Sequence, residues 1–217
     1  MKRLLWLALV LAACGDDGAT FQDAAIDAPP DPCAPEMQFT GEYVDWDSTE
    51  SAFMGVFGAH FTLQGDTSKT TMTAPNGRFI LCLPAADGLV DVEPMAGSDY
   101  VGGTVVVDKM VVQSRAMLSY RSFTATRAAD FGFDAGQAHV YVHVDGDART
   151  VTTAAAPGVQ KTFDGATWTD GNSGTDIYLG NIAGTSTSLT VSGGDAIGAG
   201  TIPLVAGEFT YVTIVAK

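Results

Sequence analysis

Short alternating runs broken by turn residues constrain the fold of this chain more than any other feature. The clearest run is AHVYVHV at residues 138–144, where valines alternate with His and Tyr. A period of two is typical of a β-strand with one buried face. Similar short runs recur along the 217 residues, with Gly, Asp and Asn between them. We therefore predict an all-β fold of the sandwich type.

The predicted strands fall into two sets. Residues 114–131, between the sets, suit a helix by the spacing of their large side chains and a strand by their Ser, Thr and aromatic content. We predict a short connecting helix there, and two tandem sandwich domains at 38–113 and 114–217, with one continuous larger sandwich as the alternative. The predicted strands are 43–47, 53–63, 69–73, 78–83, 89–92, 103–112, 138–144, 149–154, 176–181, 188–192 and 201–217.

The strongest local signal is a turn within residues 71–81, TMTAPNGRFIL. Pro75 presets the backbone angle at the second turn position, Asn76 tolerates the third, and Gly77 permits the exit. This pattern predicts a hairpin.

Around that turn the chain resembles the carboxypeptidase regulatory-like family of transthyretin-like β-sandwiches, over about residues 39–107. The similar parts are a Gly-Ala-x-Phe strand, a Thr-rich strand, an Asn-Gly-x-Phe turn and a closing alternating strand. The resemblance implies transthyretin/Ig-like sandwiches, mostly non-catalytic, and the second half resembles a diverged copy that lacks the turn. The residues that carry it are 56–63, 71–73, 76–79, Pro84, 89–92 and Tyr100.

The first thirteen residues have the organisation of an export leader. Lys2 and Arg3 precede an apolar run that ends at Ala13, far short of the ~20 residues that a helix needs to cross a bilayer. The segment Leu-Ala-Ala-Cys, ending at Cys14, resembles the lipobox of a bacterial lipoprotein signal peptide. The resemblance implies cleavage before Cys14 and acylation of its thiol, including a palmitate-type chain. An ordinary secretory leader that is cut elsewhere is the alternative.

This resemblance sets the expected compartment. The chain would be anchored to the lipid bilayer of the cell envelope through Cys14, and Gly15 after the cysteine implies the outer membrane by the enterobacterial sorting rule. Residues 14–37 are acidic, Ala- and Pro-rich and without apolar periodicity, which predicts a flexible lipidated tether.

Charge argues against one class of partner. The full chain has a net charge of −14, and removing residues 1–13 would take away two basic residues and no acids, leaving 9 basic and 25 acidic residues. Nucleic-acid binding depends on clustered Lys and Arg. We therefore expect no nucleic-acid partner, and consider instead an envelope protein or a polysaccharide.

Three cysteines make an odd count. If Cys14 carries lipid, Cys33 and Cys82 remain as a pair that could form a disulfide in an oxidising compartment. Such a bond would be expected to stabilise residues 39–112 and to leave the second half unaffected. The alternative is that Cys82, within an apolar run, is a buried small hydrophobic residue.

The loop at residues 164–176 carries most of the candidate binding residues. Its Asp170, Asn172 and Asp176 are a weak calcium candidate, because they alternate with small residues but lack the bidentate Glu of an EF-hand. Without that ligand, we expect a long turn, no metal and no cofactor.

Three aromatic residues of the C-terminal half suggest glycan binding as the alternative function. Trp168, with Tyr141 or Tyr178, could stack on a sugar ring of a cell-wall glycan, whereas a Trp that caps the end of a sandwich core is the plainer interpretation. His139 and His143 flank Tyr141 on one strand face but lie ~13 Å apart, too far to share a metal ion. We expect these histidines to face solvent.

Catalytic motifs are missing from the sequence: there is no Gly-x-Ser-x-Gly, His-Glu-x-x-His, Walker loop or Cys-x-x-Cys. We therefore expect a non-enzymatic, lipid-anchored protein with structural or interaction roles, and glycan binding by the C-terminal half is the alternative.

Overall fold

The computed structural model describes residues 31–114, 117–193, 196–198 and 200–216. The leader, Cys14 and residues 14–30 of the expected tether lie outside these ranges. The described part contains no helix that is long and apolar enough to cross a membrane. About half of it (49%) is strand and only 7% is helix, which confirms the all-β class.

The N-terminal half supplies seven strands and two short helices within the described ranges. The predicted connecting helix is wrong in its central part, because residues 118–122 form a strand that pairs with β1. The elements are β1 (Met37–Asp45), β2 (His60–Leu63), β3 (Thr70–Met72), β4 (Arg78–Leu83), β5 (Gly88–Glu93), β6 (Gly103–Val107), α1 (Lys109–Ser114), β7 (Leu118–Ser122) and α2 (Ala125–Asp130).

The C-terminal half adds ten strands, again within the described ranges. Three of them, at residues 159–163, 168–170 and 173–174, fall in the long stretch that the sequence prediction left without strands. The elements are β8 (Ala138–Asp145), β9 (Arg149–Thr153), β10 (Val159–Phe163), β11 (Trp168–Asp170), β12 (Ser173–Gly174), β13 (Asp176–Ile182), β14 (Ser186–Val191), β15 (Ala196–Ile197), β16 (Thr201–Pro203) and β17 (Phe209–Ala216).

One large sheet joins the two halves. Its strands lie in the order β11-β10-β13-β8-β17-β6-β5-β2-β3, and β15 pairs with the end of β17. The last strand, β17, is parallel both to β8 from the second half and to β6 from the first. Residues from Asp31 onwards therefore form one compact unit rather than two sandwiches divided at residue 113.

Two smaller sheets cover opposite faces of this large sheet. The sheet β4-β1-β7 closes a core rich in aromatic residues, and the sheet β12-β9-β14-β16 closes an aliphatic one. Strands β8 and β17 contribute to both cores, as Tyr141 and Tyr211 face the first while Val142 and Val212 face the second. Both strands are therefore buried on both faces.

The turn predicted from Pro75, Asn76 and Gly77 is present. The amide of Gly77 donates to the Ala74 carbonyl at 2.8 Å, and the Asn76 side chain accepts from the amide of Arg78 at 3.1 Å. Gly77 has φ +74°, and a Cβ there would lie 2.3 Å from the Tyr43 carbonyl oxygen, so only glycine fits. The predicted hairpin is wrong, however, because the flanking strands do not pair: β3 joins the large sheet and β4 a small one.

The disulfide between Cys33 and Cys82 is confirmed, with the two Cα atoms 5.1 Å apart. Cys33 lies just before β1 and Cys82 lies within β4, and both are largely shielded from solvent. Nearby, the Lys69 ammonium contacts the Glu36 carboxylate at 2.5 Å. The segment that precedes β1 is therefore attached to the strands by a disulfide and an ion pair.

Candidate functional site

A buried polar cluster forms where β13 begins. In the register of the two antiparallel strands, Asp176 of β13 pairs with His143 of β8. The Nδ1 atom of His143 lies 2.9 Å from the Asp176 carboxylate, which also accepts the hydroxyl hydrogen of Tyr141. The Asp176 side chain is 13% exposed. Both strands are needed to assemble this set.

Arg121 of β7 completes the cluster from the small sheet. Its Nε lies 3.8 Å from the other Asp176 oxygen, and its guanidinium carbon lies 4.2 Å from the centre of the Phe163 ring. Its Nη1 donates to the backbone carbonyls of Trp46 at 3.2 Å and Ser48 at 2.8 Å. Arg121 therefore ties the loop after β1 to both halves of the unit.

The environment of Asp176 keeps its carboxylate ionised. Burial would raise the pKa of Asp176, but the hydrogen bond from His143, the charges of His143 and Arg121, and the Tyr141 hydroxyl lower it below the usual value. Burial, with the adjacent Asp176 charge, raises the pKa of Tyr141 well above its usual value. The tyrosine is therefore a neutral donor at neutral pH.

A cleft of about 270 Å³ opens beside this cluster. Its floor comes from the outward faces of β1 and β7, one wall from the loop after β1, and the other from the turn between β10 and β11. Phe53, on the first wall, is 49% exposed. Polar and aromatic groups that line the cleft include Glu42, Glu50, Phe53, Ser119, Arg121 and Phe163.

The aromatic set predicted for sugar stacking is not an exposed surface. Tyr141 and Tyr178 are 0% and 1% exposed, because both face the aromatic core beneath β4-β1-β7. Trp168 stacks on Trp46 at 3.9 Å between ring centres, and its Nε1 donates to the Trp46 carbonyl at 3.3 Å. Trp168 thus closes the end of the core, as the plainer interpretation had it.

The three residues of the weak calcium candidate do not come together either. Asp170 contacts the Lys161 ammonium at 2.5 Å, the Asn172 amide donates to the Val151 carbonyl at 3.0 Å, and Asp176 lies in the polar cluster. Within the described ranges, no three His, Cys, Asp or Glu side chains are placed to hold a metal ion. The structure gives these three residues separate partners.

The expectation that the histidines of β8 face solvent is wrong for His139. Its side chain is fully buried, because the small sheet and neighbouring loops cover the face that it shares with Tyr141. His143, nearer the strand end, is 23% exposed. Sequence reasoning missed Arg121 and Phe53 altogether. No local pattern marks either, since Arg121 meets Asp176 only in the fold and Phe53 lines a cleft that distant segments form.

Comparisons with known proteins add little. No family model matches the chain, and no curated protein matches it significantly. Among solved structures, the Bacillus anthracis TIE protein is similar over 83% of this chain at 11% identity, with a TM-score of 0.27. The chain spans about a third (34%) of that protein's length. A likeness at this level carries no argument about fold or activity.

Proposed function

We propose that this chain is a lipid-anchored protein of the bacterial cell envelope, held by Cys14 and serving a non-catalytic structural or interaction role. The observation that carries the proposal is the cysteine arrangement. Cys33 and Cys82 are bonded to each other, which suits an oxidising compartment beyond the cytoplasmic membrane. Cys14, at the end of the lipobox-like segment, is then the one thiol of the sequence left for acylation.

The contacts of the segment just before β1 support an anchoring role. The bond from Cys33 reaches β4, which pairs with β1, and the Glu36–Lys69 contact reaches the residue before β3. A pull on the tether would therefore act on two sheets at once. The partner in this role would be another envelope protein or a polysaccharide, presented at the outer membrane.

The polar cluster supports a structural rather than a catalytic role. The two Asp176 oxygens face Tyr141, His143 and Arg121, and Arg121 also holds two backbone carbonyls. These contacts bind the halves of the unit together. Three side chains thus surround the Asp176 carboxylate, as a structural ion cluster requires.

Acylation of Cys14 is tested by metabolic labelling with a palmitate analogue in a bacterial host. We expect label on the wild-type protein and at least a tenfold loss in Cys14→Ser, because the thiol is the acyl acceptor. The matched control is the double variant Cys33→Ser and Cys82→Ser, which should keep its label. Equal labelling of wild type and Cys14→Ser, or none in either, would contradict the proposal.

Glycan binding remains a second candidate, and the exposed face of Phe53 in the 270 Å³ cleft favours it. An aromatic face can stack on a pyranose ring, and the neighbouring carboxylates of Glu42 and Glu50 can accept hydrogen bonds from its hydroxyl groups. This site replaces the set of Trp168, Tyr141 and Tyr178, in which both tyrosines are buried and Trp168 stacks on Trp46. It lies between the halves of the unit, a common location for ligand clefts.

A glycan array with cell-wall polysaccharides tests this candidate. Phe53→Ala should weaken binding by about tenfold, the upper end expected for one aromatic contact. Phe57→Ala is the matched control, because Phe57 is 47% exposed and lies on a different surface. No binding by the wild type, or equal loss in both variants, would remove the candidate.

A further inference from the structure

His139 lies in a closed cycle of hydrogen bonds. Its Nδ1 accepts the backbone amide hydrogen of Asn181 at 3.3 Å, and its Nε2 lies 3.2 Å from the carbonyl oxygen of Asp134. The amide of Asp134 in turn donates to the Asn181 side-chain oxygen at 2.9 Å. We call these three residues the His139 latch. It joins β8, β13 and the loop before β8.

The latch fixes one form of the imidazole. A backbone amide can only donate, so Nδ1 must be unprotonated, and Nε2 therefore carries the hydrogen and donates to the Asp134 carbonyl. The Tyr178 hydroxyl, 3.1 Å from the same Nδ1, is a second donor to it. The neutral imidazole thus matches the roles of all three partners, and the two donors share the single lone pair of Nδ1.

Asn181 holds the loop through an irregularity of its strand. The register of β13 against β8 shifts between Leu179 and Ile182, and Asn181 has φ +57°, in the left-handed region. This conformation turns its side chain to the loop, where Nδ2 donates to the Gly132 carbonyl at 2.7 Å. The Asn181 side chain therefore joins the bulge to the loop through both its oxygen and its nitrogen.

The surroundings of the ring do not favour a positive charge. Phe133 stacks on the imidazole at 4.1 Å between centres, and the Phe209 ring lies 5.4 Å away. The charged groups nearby are Asp134, whose carboxylate accepts the amide hydrogen of Gly136, and Glu208, whose backbone carbonyl accepts that of His139.

The pKa values of His139 and its neighbours also favour an uncharged imidazole. Burial lowers the pKa of His139 to about 4, against the weaker opposing effect of Asp134. Burial raises the pKa of Tyr178 above its usual value and, with Asp91, raises that of Glu208. At neutral pH the latch therefore contains a neutral histidine, and the adjacent Tyr178 is also neutral.

We propose that the His139 latch is an acid-sensitive device, in which a proton on Nδ1 opposes the Asn181 amide and loosens the bulge of β13 from β8. The Tyr178 hydroxyl can rotate and accept from the new N–H, but the backbone amide cannot. Protonation therefore breaks the cycle at one point. The bulge would then separate from His139, while the bonds of the Asn181 side chain to the loop and the large sheet persist.

The effect has a defined direction with pH. The folded pKa lies below the ordinary value of 6.5, so the unfolded chain binds more protons between about pH 6.5 and pH 4. The stabilisation is complete above pH 6.5 and is lost as pH falls towards 4. Over this window we expect the equilibrium constant for unfolding to rise by on the order of 100-fold through His139 alone.

Urea unfolding of the intact protein at pH 7, 6, 5 and 4 tests the size of this effect. His139→Asn retains an acceptor at the δ position and should show a pH dependence weaker by about that factor. His60→Asn is the matched control, because His60 is exposed on β2 and its loss should leave the wild-type profile unchanged. The same profile in all three proteins would overturn the proposal.

A second measurement needs no variant, which keeps the test decisive if His139→Asn fails to fold. Long-range ¹⁵N NMR of wild type should show His139 with an unprotonated Nδ1 at pH 7 and a midpoint near pH 4. Hydrogen exchange at the Asn181 amide should accelerate with the same midpoint. An Nδ1–H tautomer, a midpoint near 6.5, or an Asn181 amide indifferent to that titration would overturn it.

Discussion

Reduction of the Cys33–Cys82 bond is expected to lower the free energy of unfolding by about 4 kcal/mol, because it frees a loop with a sequence separation of 49 residues. A loss of this size is a large fraction of the stability of a typical domain. Urea unfolding with and without a reductant measures it. Cys14→Ser in the same assay controls for effects of the third thiol.

Which residues lose stability on reduction distinguishes the observed single unit from the two tandem domains expected from the sequence. Two tandem sandwiches would confine the effect to residues 39–112. Because β17 pairs with both β6 and β8, we expect reduction to destabilise both halves together. Hydrogen exchange should then show β5 and β13 losing protection in parallel. Unchanged protection of β13 would contradict the single cooperative unit.

Removal of the Asp176 carboxylate is expected to cost about 3–5 kcal/mol. Asp176→Ala would leave the buried Arg121 guanidinium without its counter-charge and the Tyr141 hydroxyl without its acceptor. The Tyr141 hydroxyl would remain shielded from water, and the Arg121 side chain is only 13% exposed. Thermal or urea unfolding measures the loss, and Asp176→Asn, which keeps the volume and one acceptor, should lose less.

Asp170→Ala provides the matched control for this prediction. Asp170 also pairs with a cation, Lys161, but its side chain is 89% exposed. Exposed ion pairs contribute roughly 0–1 kcal/mol, so the change should be small. Similar losses in the two alanine variants would contradict a structural role for the buried cluster.

Acid should act on Asp176 and His139 in different pH ranges. The pKa of Asp176 is lowered from 3.8, so its stabilisation is present above that value and disappears as pH falls through the still lower folded pKa. The loss through His139 occurs earlier, between about pH 6.5 and 4. Wild-type stability should therefore decline in two steps on acidification.

Local signals in the sequence predicted the local structure well. The alternation at residues 138–144 marks β8, and Pro75, Asn76 and Gly77 mark the turn before β4. Each signal depends on the backbone preferences of a few neighbouring residues. The cysteine count likewise suffices for the disulfide once Cys14 is set aside.

The pairing of distant strands could not be predicted in this way. No pattern within residues 209–216 predicts that this strand lies between β6 and β8, because parallel pairing depends on the whole sheet. The same pairing buries Tyr141 and Tyr178, which removes the expected sugar-binding surface. Arg121 becomes part of a site only because β7 adds to the small sheet beside β13.

The central functional claim is that Cys14 is the lipidated N-terminus of the mature protein. Mass spectrometry of the N-terminal peptide, from protein purified out of the membrane fraction of a bacterial host, tests it most directly. We expect a peptide that begins at Cys14 and carries the mass of a diacylglyceryl group. A peptide that retains residues 1–13, or an unmodified one that begins elsewhere, would contradict the claim.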